Sequence, residues 1–363
     1  MKIIISGGGT GGHVFPAIAI AKAIKTIKPN ADILFVGAKG KIEMEKVPSV
    51  GFPIKGLWIS GFHRQLTFRN LLFPFKLLSS LVNAWLIVKR FKPDVAVGVG
   101  GYASGPILFM AAQSGVPALI QEQNSYAGVT NKLLASKASK VCVAYDNMES
   151  FFGNKVIYTG NPVREEITII EGKKVEAVHH FGLKSDKLTV LVIGGSLGAR
   201  TMNDAMEKNF ELVQKRQDIQ YIWQCGKLYY DEFSMKQTSQ LPNVHLTKFI
   251  DRMDLAYALA DVVISRAGAT SISELCLVGK PTILVPSPNV AEDHQTRNAM
   301  ALVEKDAAIL VRDVEASEKM ILTAQSVLDN HNQQLELSEN VKKLAKRNSA
   351  EVIAREVLSL VKE

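Results

Sequence analysis

The chain is short of several features, and each shortage closes a route. It has three cysteines in 363 residues, Cys142, Cys225 and Cys276, far apart and in no CxxC spacing. An odd, scattered set supports neither a disulfide framework nor a zinc knuckle, and fits a reducing compartment. Aromatic residues make up only 7% of the chain. They do not interleave with Arg and Lys in any nucleic-acid-binding signature, so no nucleic-acid partner is expected. There is no GxxxxGK[ST] and no DxD, which leaves out a P-loop and a carboxylate-held metal; neither metal nor other cofactor is expected. No basic leader or apolar signal core precedes the first strand, so the N-terminus is expected to stand as written. Acidic residues are scarce in one half only: residues 1–163 carry 18 Lys+Arg against 7 Asp+Glu, the remainder 25 against 28. The net charge of +8 therefore belongs to the first half, which suits an anionic membrane or a phosphate-bearing ligand.

Glycine is the residue placed most deliberately. GGGTGGH (7–13) follows the strand pattern KIIIS (2–6) and opens the helical pattern PAIAIAKAIKTI (16–27). Gly7, Gly9 and Gly12 satisfy G-x-G-x-x-G, but the acid that a dinucleotide fold wants at the end of the second strand is missing: ILFVG (33–37) runs into Ala38, Lys39 and Gly40. Free backbone N–H groups and a helix N-terminus still favour an anion there, the other reading being a tight turn without a ligand. Further glycine turns, GVGGYASGP (98–106), GGSLGAR (194–200) and RAGATSISE (266–274), again follow strand patterns. Alternating strand and helix patterns, restarting at LTVLVIGG (188–195) after the charged stretch 161–187, predict an α/β chain of two tandem Rossmann-like domains with parallel sheets. Loops at the carboxyl ends of strands would line one cleft if the domains face each other.

His13 titrates near neutrality in type and opens a helix, so it is a candidate general base. It is equally a donor to a phosphate, or a capping or core histidine. Glu122 is the alternative base, against a role organising its own loop. His179, His180 and His245 sit in no metal-ligand spacing. Residues 62–92 mix large apolar side chains with Arg64, Arg69, Lys76, Lys89, Arg90 and Lys92 and hold no acid. Lys76, Asn83 and Pro74 interrupt them too soon for a membrane span, so an interfacial surface on anionic lipid is expected. The alternative is a crossover helix burying Leu78, Val82, Trp85 and Leu86; a mixture, buried at 85–88 and exposed at 62–76, is the working expectation.

GGGTGGHVFPA, GVGGYASGP, QEQNSYAGVTNK, TGNPVR, GGSLGAR, FIDRM and RAGATSISE, in this order, resemble the MurG family of bacterial peptidoglycan glycosyltransferases from about Lys2 to beyond Asn298. The resemblance implies the GT-B fold, with residues 1–163 as an N-terminal acceptor and membrane-facing domain and 164–340 as a UDP-GlcNAc donor domain. The helical segment 341–363 would be able to pack back on the first. It implies inverting transfer of GlcNAc from UDP-GlcNAc to the MurNAc 4-hydroxyl of the undecaprenyl-diphosphate acceptor lipid I, giving lipid II, by a peripheral enzyme on the cytoplasmic face of the plasma membrane. Substrate-binding roles carry over to Thr10, Gly11, Gly12, Asn124, Arg164 and Ser196. Others fall on Ile250, whose backbone would meet uracil, on Ala269, Thr270, Ser271, Ile272, Ser273 and Glu274, the last toward ribose hydroxyls, and on Gln295. Gln121 departs from the histidine expected before EQN. Arg164, Ser196, the 194–198 backbone and the helix after Arg266 would meet the leaving diphosphate. Competing functions are a UDP-GlcNAc 2-epimerase of the same fold and a non-catalytic nucleotide-sugar-binding subunit.

Overall fold

The computed structural model describes residues 1–61, 72–195 and 197–361, which form two compact units. The first comprises Met1–Val163 with Lys346–Glu363, the second Arg164–Ala345.

In the first unit, strands β1 (Lys2–Ser6), β2 (Asp32–Ala38), β3 (Ile54–Leu57), β4 (Val95–Gly98), β5 (Ala118–Glu122), β6 (Lys140–Val143) and β7 (Val156–Tyr158) form a parallel sheet in the order β3-β2-β1-β4-β5-β6-β7. Such strands are covered on both faces and read as continuous apolar runs. β1 shows why. Ile3 and Ile5 point into one core, with Ile20 and Ile24 of the helix Gly11–Ile27, while Ile4 points into the other, with Ile87, Val88 and Ile107. The second unit repeats the design with β8 (Leu188–Ile193), β9 (Ile219–Gln224), β10 (Val244–Thr247), β11 (Val262–Ser265), β12 (Thr282–Leu284) and β13 (Ile309–Leu310), in the order β10-β9-β8-β11-β12-β13. In both sheets the order reverses beside the first strand of the unit, between β1 and β4 and between β8 and β11. All four glycine turns follow these four strands, so each unit carries two of them at its switch point.

The last helix, Ser349–Leu358, belongs to the first unit. Ile353 and Val357 are fully buried beside Ile3 and Ile20, each contributing roughly 1.5–3 kcal/mol. Lys140 donates to Ser359 at 2.8 Å. The chain passes between units at 345/346, so Val341 remains in the second.

Residues 62–71 of the expected lipid-facing stretch lie outside the described residues. The rest forms the helix Phe73–Phe91, where the expected mixture holds in part: at the 85–88 end Ile87 and Val88 are buried, whereas the stripe that the crossover-helix alternative would bury is not. Leu78, Val82 and Trp85 are 64%, 50% and 44% exposed; Leu86 is half-buried. Ser80, Ala84, Ile87 and Val88 face the core instead. Small Ser80 and Ala84 admit the neighbouring helix Ser104–Gln113, and the large side chains turn outward. No helix of the described residues is long and apolar enough to cross a membrane.

In the second unit Asp254 is buried under Arg252, whose Nε and Nη2 approach its oxygens at 2.9 Å, and Lys173, at 2.8 Å. The Arg252 hydrogen bonds, followed by those of Lys173, hold this carboxyl well below the ordinary carboxylate range against its burial. A depressed folded-state value stabilises the fold above the unfolded value near pH 4, and that contribution is lost as pH falls through the folded value. In urea titrations across pH 5 to 2, Asp254→Asn should therefore flatten the acid limb of the stability curve, starting less stable at neutral pH.

Candidate active site

The glycines of the first loop are required by what lies against them. A Cβ on Gly7 would stand 3.0 Å from the Val99 Cβ, and one on Gly101 2.3 Å from the Gly8 carbonyl oxygen, so the loops after β1 and β4 meet backbone to backbone. A Cβ on Gly100 would meet His13 Cδ2 at 2.8 Å and Nε2 at 2.9 Å. The bare backbone there gives the imidazole its seat. Gly9 differs: it has open space and a φ of +88°, which an L side chain rarely adopts.

His13 is half-buried in the first turn of the helix Gly11–Ile27, between exposed Gly12 and buried Val14. Its Nδ1 lies 3.1 Å from the Thr10 hydroxyl. That contact is compatible with either tautomer. If Nδ1–H donates to Thr10, Nε2 keeps a lone pair and can accept a proton; if Thr10 donates, Nε2–H is a donor. Thr10 and Gly11, exposed and half-buried, complete this edge of the loop.

Glu122 ends β5, 2% exposed, with both oxygens occupied. Oε1 accepts the backbone and side-chain amides of Asn124 at 3.0 and 3.3 Å, and Oε2 those of Gly128 and Asn131 at 2.9 and 2.8 Å. Four donors on a buried carboxylate leave no lone pair for a substrate proton. This geometry fits the loop-organising alternative rather than the base. Beside it Gln121, fully buried, donates to Asn161 at 2.8 Å, and Asn161 donates to the Gln123 carbonyl at 3.0 Å. The glutamine that departs from the family pattern thus ties β5 to residues 159–163.

The second unit solves its glycine loop similarly. A Cβ on Gly198 would stand 2.0 Å from the Cys225 carbonyl oxygen, while Gly195, φ +89°, faces open space as Gly9 does. Ser196 lies outside the described residues. Gln224, at the end of β9, accepts the Gly194 N–H at 3.2 Å and donates to the Gly195 carbonyl at 2.9 Å. After β11, Arg266 is held by Asp313 and by the Val285 carbonyl at 2.9 Å, a structural cation. The helix Ala269–Val278 then begins behind Gly268, whose carbonyl receives the Ile272 N–H at 2.9 Å. Ala269, Thr270 and Ser271 form its first turn and are half-buried; Ile272 packs inward, and the Ser273 hydroxyl returns to the Ala269 carbonyl at 3.1 Å.

Two candidates drawn separately from the sequence are partners. Arg164 grips Glu274 with a two-point fork, Nε to Oε1 at 2.9 Å and Nη2 to Oε2 at 3.0 Å, and the buried Tyr257 hydroxyl adds a third donor at 3.2 Å. Burial alone would lower the Arg164 guanidinium; the Glu274 hydrogen bonds and charge outweigh it, and the group sits above its ordinary value. Burial, then the Glu274 charge, pushes the Tyr257 phenol well up. Of the remaining candidates, Ile250 is buried beside 41%-exposed Phe249, and Gln295 accepts the Ser287 N–H at 2.9 Å. Sequence reasoning missed Tyr257, Gln224 and the fully buried Glu43, which accepts the Gly9 N–H at 2.9 Å. Glu43 lies five residues beyond β2, outside the strand-end position where an acid was sought.

Against this geometry the chain can be placed among known proteins. The glycosyltransferase family 28 N-terminal domain matches residues 3–143 and the family 28 C-terminal domain residues 189–355. The chain belongs to glycosyltransferase family 28. A Bacteroides fragilis family member, named UDP-N-acetylglucosamine--N-acetylmuramyl-(pentapeptide) pyrophosphoryl-undecaprenol N-acetylglucosamine transferase, is 54% identical across 100% of this chain and 96% of its own. The crystal structure of Acinetobacter baumannii MurG superposes with a TM-score of 0.79 at 26% identity, covering 99% of both chains. A putative UDP-N-acetylglucosamine 2-epimerase from Listeria monocytogenes shares the fold, with a TM-score of 0.70 at 13% identity over 99% of this chain and 96% of that one. The family 28 assignment makes the two units glycosyltransferase domains, and the chain is a UDP-GlcNAc-dependent glycosyltransferase.

Proposed function

We propose that this chain transfers GlcNAc from UDP-GlcNAc to the MurNAc 4-hydroxyl of lipid I, giving lipid II, with the acceptor on the first unit and the donor on the second. The observation that carries this reading is that each unit presents a different chemistry at its own switch point, an imidazole in one and a guanidinium–carboxylate pair in the other. The acceptor oxygen bonds to the anomeric carbon as its bond to the β-phosphate breaks. UDP leaves, the configuration inverts to β, and the hydroxyl proton passes to His13 Nε2. Arg164, the 194–198 backbone and the first turn of Ala269–Val278 meet the charge of the departing diphosphate, fixed donors of this kind contributing about 3 kcal/mol each. In this reading no metal is needed. Purified protein should release UDP only when lipid I is present, undiminished in chelator, with a disaccharide lipid as product. Acceptor-independent UDP release would instead indicate the epimerase, and UDP-GlcNAc binding without turnover a binding subunit.

The same reading places the chain peripherally on the cytoplasmic face of the membrane, where lipid I would be met. Phe75, Leu78, Val82 and Trp85 recur at spacings of three and four and form one exposed stripe of Phe73–Phe91. Lys89 lies 4.8 Å from the Trp85 ring centroid and Lys76 5.8 Å from that of Trp58. Apolar side chains bordered by basic ones suit an anionic lipid surface. The double variant Leu78→Glu/Trp85→Glu should lower co-sedimentation with phosphatidylglycerol vesicles by about tenfold and leave UDP-GlcNAc affinity unchanged. Wild-type binding should weaken with salt.

A further inference from the structure

Glu43 is a carboxylate with no exposed surface, at the start of the short helix Glu43–Ser49, and nothing in the proposed reaction uses it. Its two oxygens do different work. Oε2 accepts the Gly9 N–H and Oε1 the Ala38 N–H, both at 2.9 Å, so one side chain pins the first glycine loop to the end of β2. The loop is shaped around it: a Cβ on Gly8 would stand 2.2 Å from Oε1, and one on Gly37 2.4 Å from Cγ. The second unit ties its corresponding loop with Gln224, whose neutral amide both accepts from Gly194 and donates to Gly195. The contrast is one of donors: the Glu43 carboxylate only accepts, from Gly9 and Ala38, whereas the Gln224 amide both accepts and donates within its own loop.

We propose that Glu43 is a positioning residue of the transfer: it closes the buried side of the first glycine loop and thereby holds Thr10–His13 in register for the acceptor. This rests on the reading that the first unit carries the acceptor and that His13 acts there. A carboxylate accepting two backbone amides has no equal among neutral side chains, since an amide offers one oxygen and sets its NH2 against the other N–H. Misplacing a reacting group by about 1 Å costs up to about a hundredfold in rate.

The test uses the full chain with UDP-GlcNAc and lipid I. Glu43→Gln is expected to lower kcat/KM for the acceptor by about 10- to 100-fold while UDP affinity, measured by calorimetry, stays within about twofold. A general loss of structure would lower both. Hydrogen exchange on the wild-type chain gives a second reading independent of any variant: the Gly9 and Ala38 amides are expected to be protected. His13→Ala serves as the control. If it impairs acceptor turnover and Glu43→Gln does not, Glu43 has no positioning role and the acceptor reading stands. If neither changes acceptor turnover, that reading falls and the Glu43 proposal with it. An unprotected Gly9 amide, or equal losses of UDP affinity and acceptor turnover in Glu43→Gln, would also overturn the proposal.

Discussion

Replacing His13 by alanine should lower kcat for acceptor-dependent UDP release by about 10²- to 10⁴-fold, the range over which a positioned general base contributes. UDP-GlcNAc affinity should be nearly unchanged, because in the proposed reading the imidazole belongs to the acceptor unit and the donor is held by the other. The informative variant is His13→Gln. Its amide can still donate a hydrogen bond but cannot accept a proton at neutral pH. If His13 is the base, glutamine is as damaging as alanine; if it is a phosphate donor, glutamine recovers much of the rate. Thr10 refines the test. Its hydroxyl sits 3.1 Å from Nδ1, and the lone pair stays on Nε2 only when that hydroxyl accepts from Nδ1–H. Thr10→Val removes that acceptor and frees the other tautomer, so a base role predicts a smaller loss of kcat, about tenfold. Thr10→Ser keeps the hydroxyl and should stay near wild type. Rates measured with saturating donor separate these effects from binding.

The parts of the fold that a short-range pattern can carry were legible. β1, β2, β8 and β11 are apolar runs ending in glycine turns, and parallel sheets require such runs because both faces are covered. β3 and β13 were not read: IKGL alternates with lysine and glycine at a sheet edge, and β13 is two residues long. The outward stripe of Phe73–Phe91, which the crossover-helix alternative would bury, has a related cause. Leu78, Val82 and Trp85 give a sound helical period, but period does not say which side is wet when the apolar stripe is itself the surface. At the site, the glycine loops and His13 were visible because their chemistry lies in contiguous residues. Glu43, which braces the first loop, was not, and neither was the pairing of Arg164 with Glu274, two residues each named from the sequence. Glu43 reaches Gly9 across 34 positions and Arg164 reaches Glu274 across 110, contacts fixed only once the strands are ordered.

Removing Glu274 should have the largest effect in the second unit. With a side chain only 4% exposed it is gripped by Arg164 and Tyr257, and truncation to alanine leaves a guanidinium without its fork and a buried phenol without its acceptor. Arg164 is 40% exposed, so water recovers part of the loss, and a stability decrease of about 2 kcal/mol is expected in urea denaturation. UDP-GlcNAc affinity should fall about 100-fold, equivalent to about 2.7 kcal/mol. A lone-pair count says why the carboxylate can serve ligand and scaffold together. Oε2 accepts from Arg164 and Tyr257, whereas Oε1 accepts from Arg164 alone, which leaves one direction on Oε1 for a ribose hydroxyl without breaking the fork. UDP-GlcNAc lacking the ribose hydroxyls should therefore bind the wild type more weakly, yet bind Glu274→Ala as well as the intact donor does. If the two losses instead add, Glu274 acts on the donor only by holding Arg164 and the ribose is met elsewhere. Arg164→Lys completes the argument: it keeps the charge and loses the planar fork. The expected result is a donor affinity between those of the wild type and Glu274→Ala, with the response to ribose hydroxyls retained.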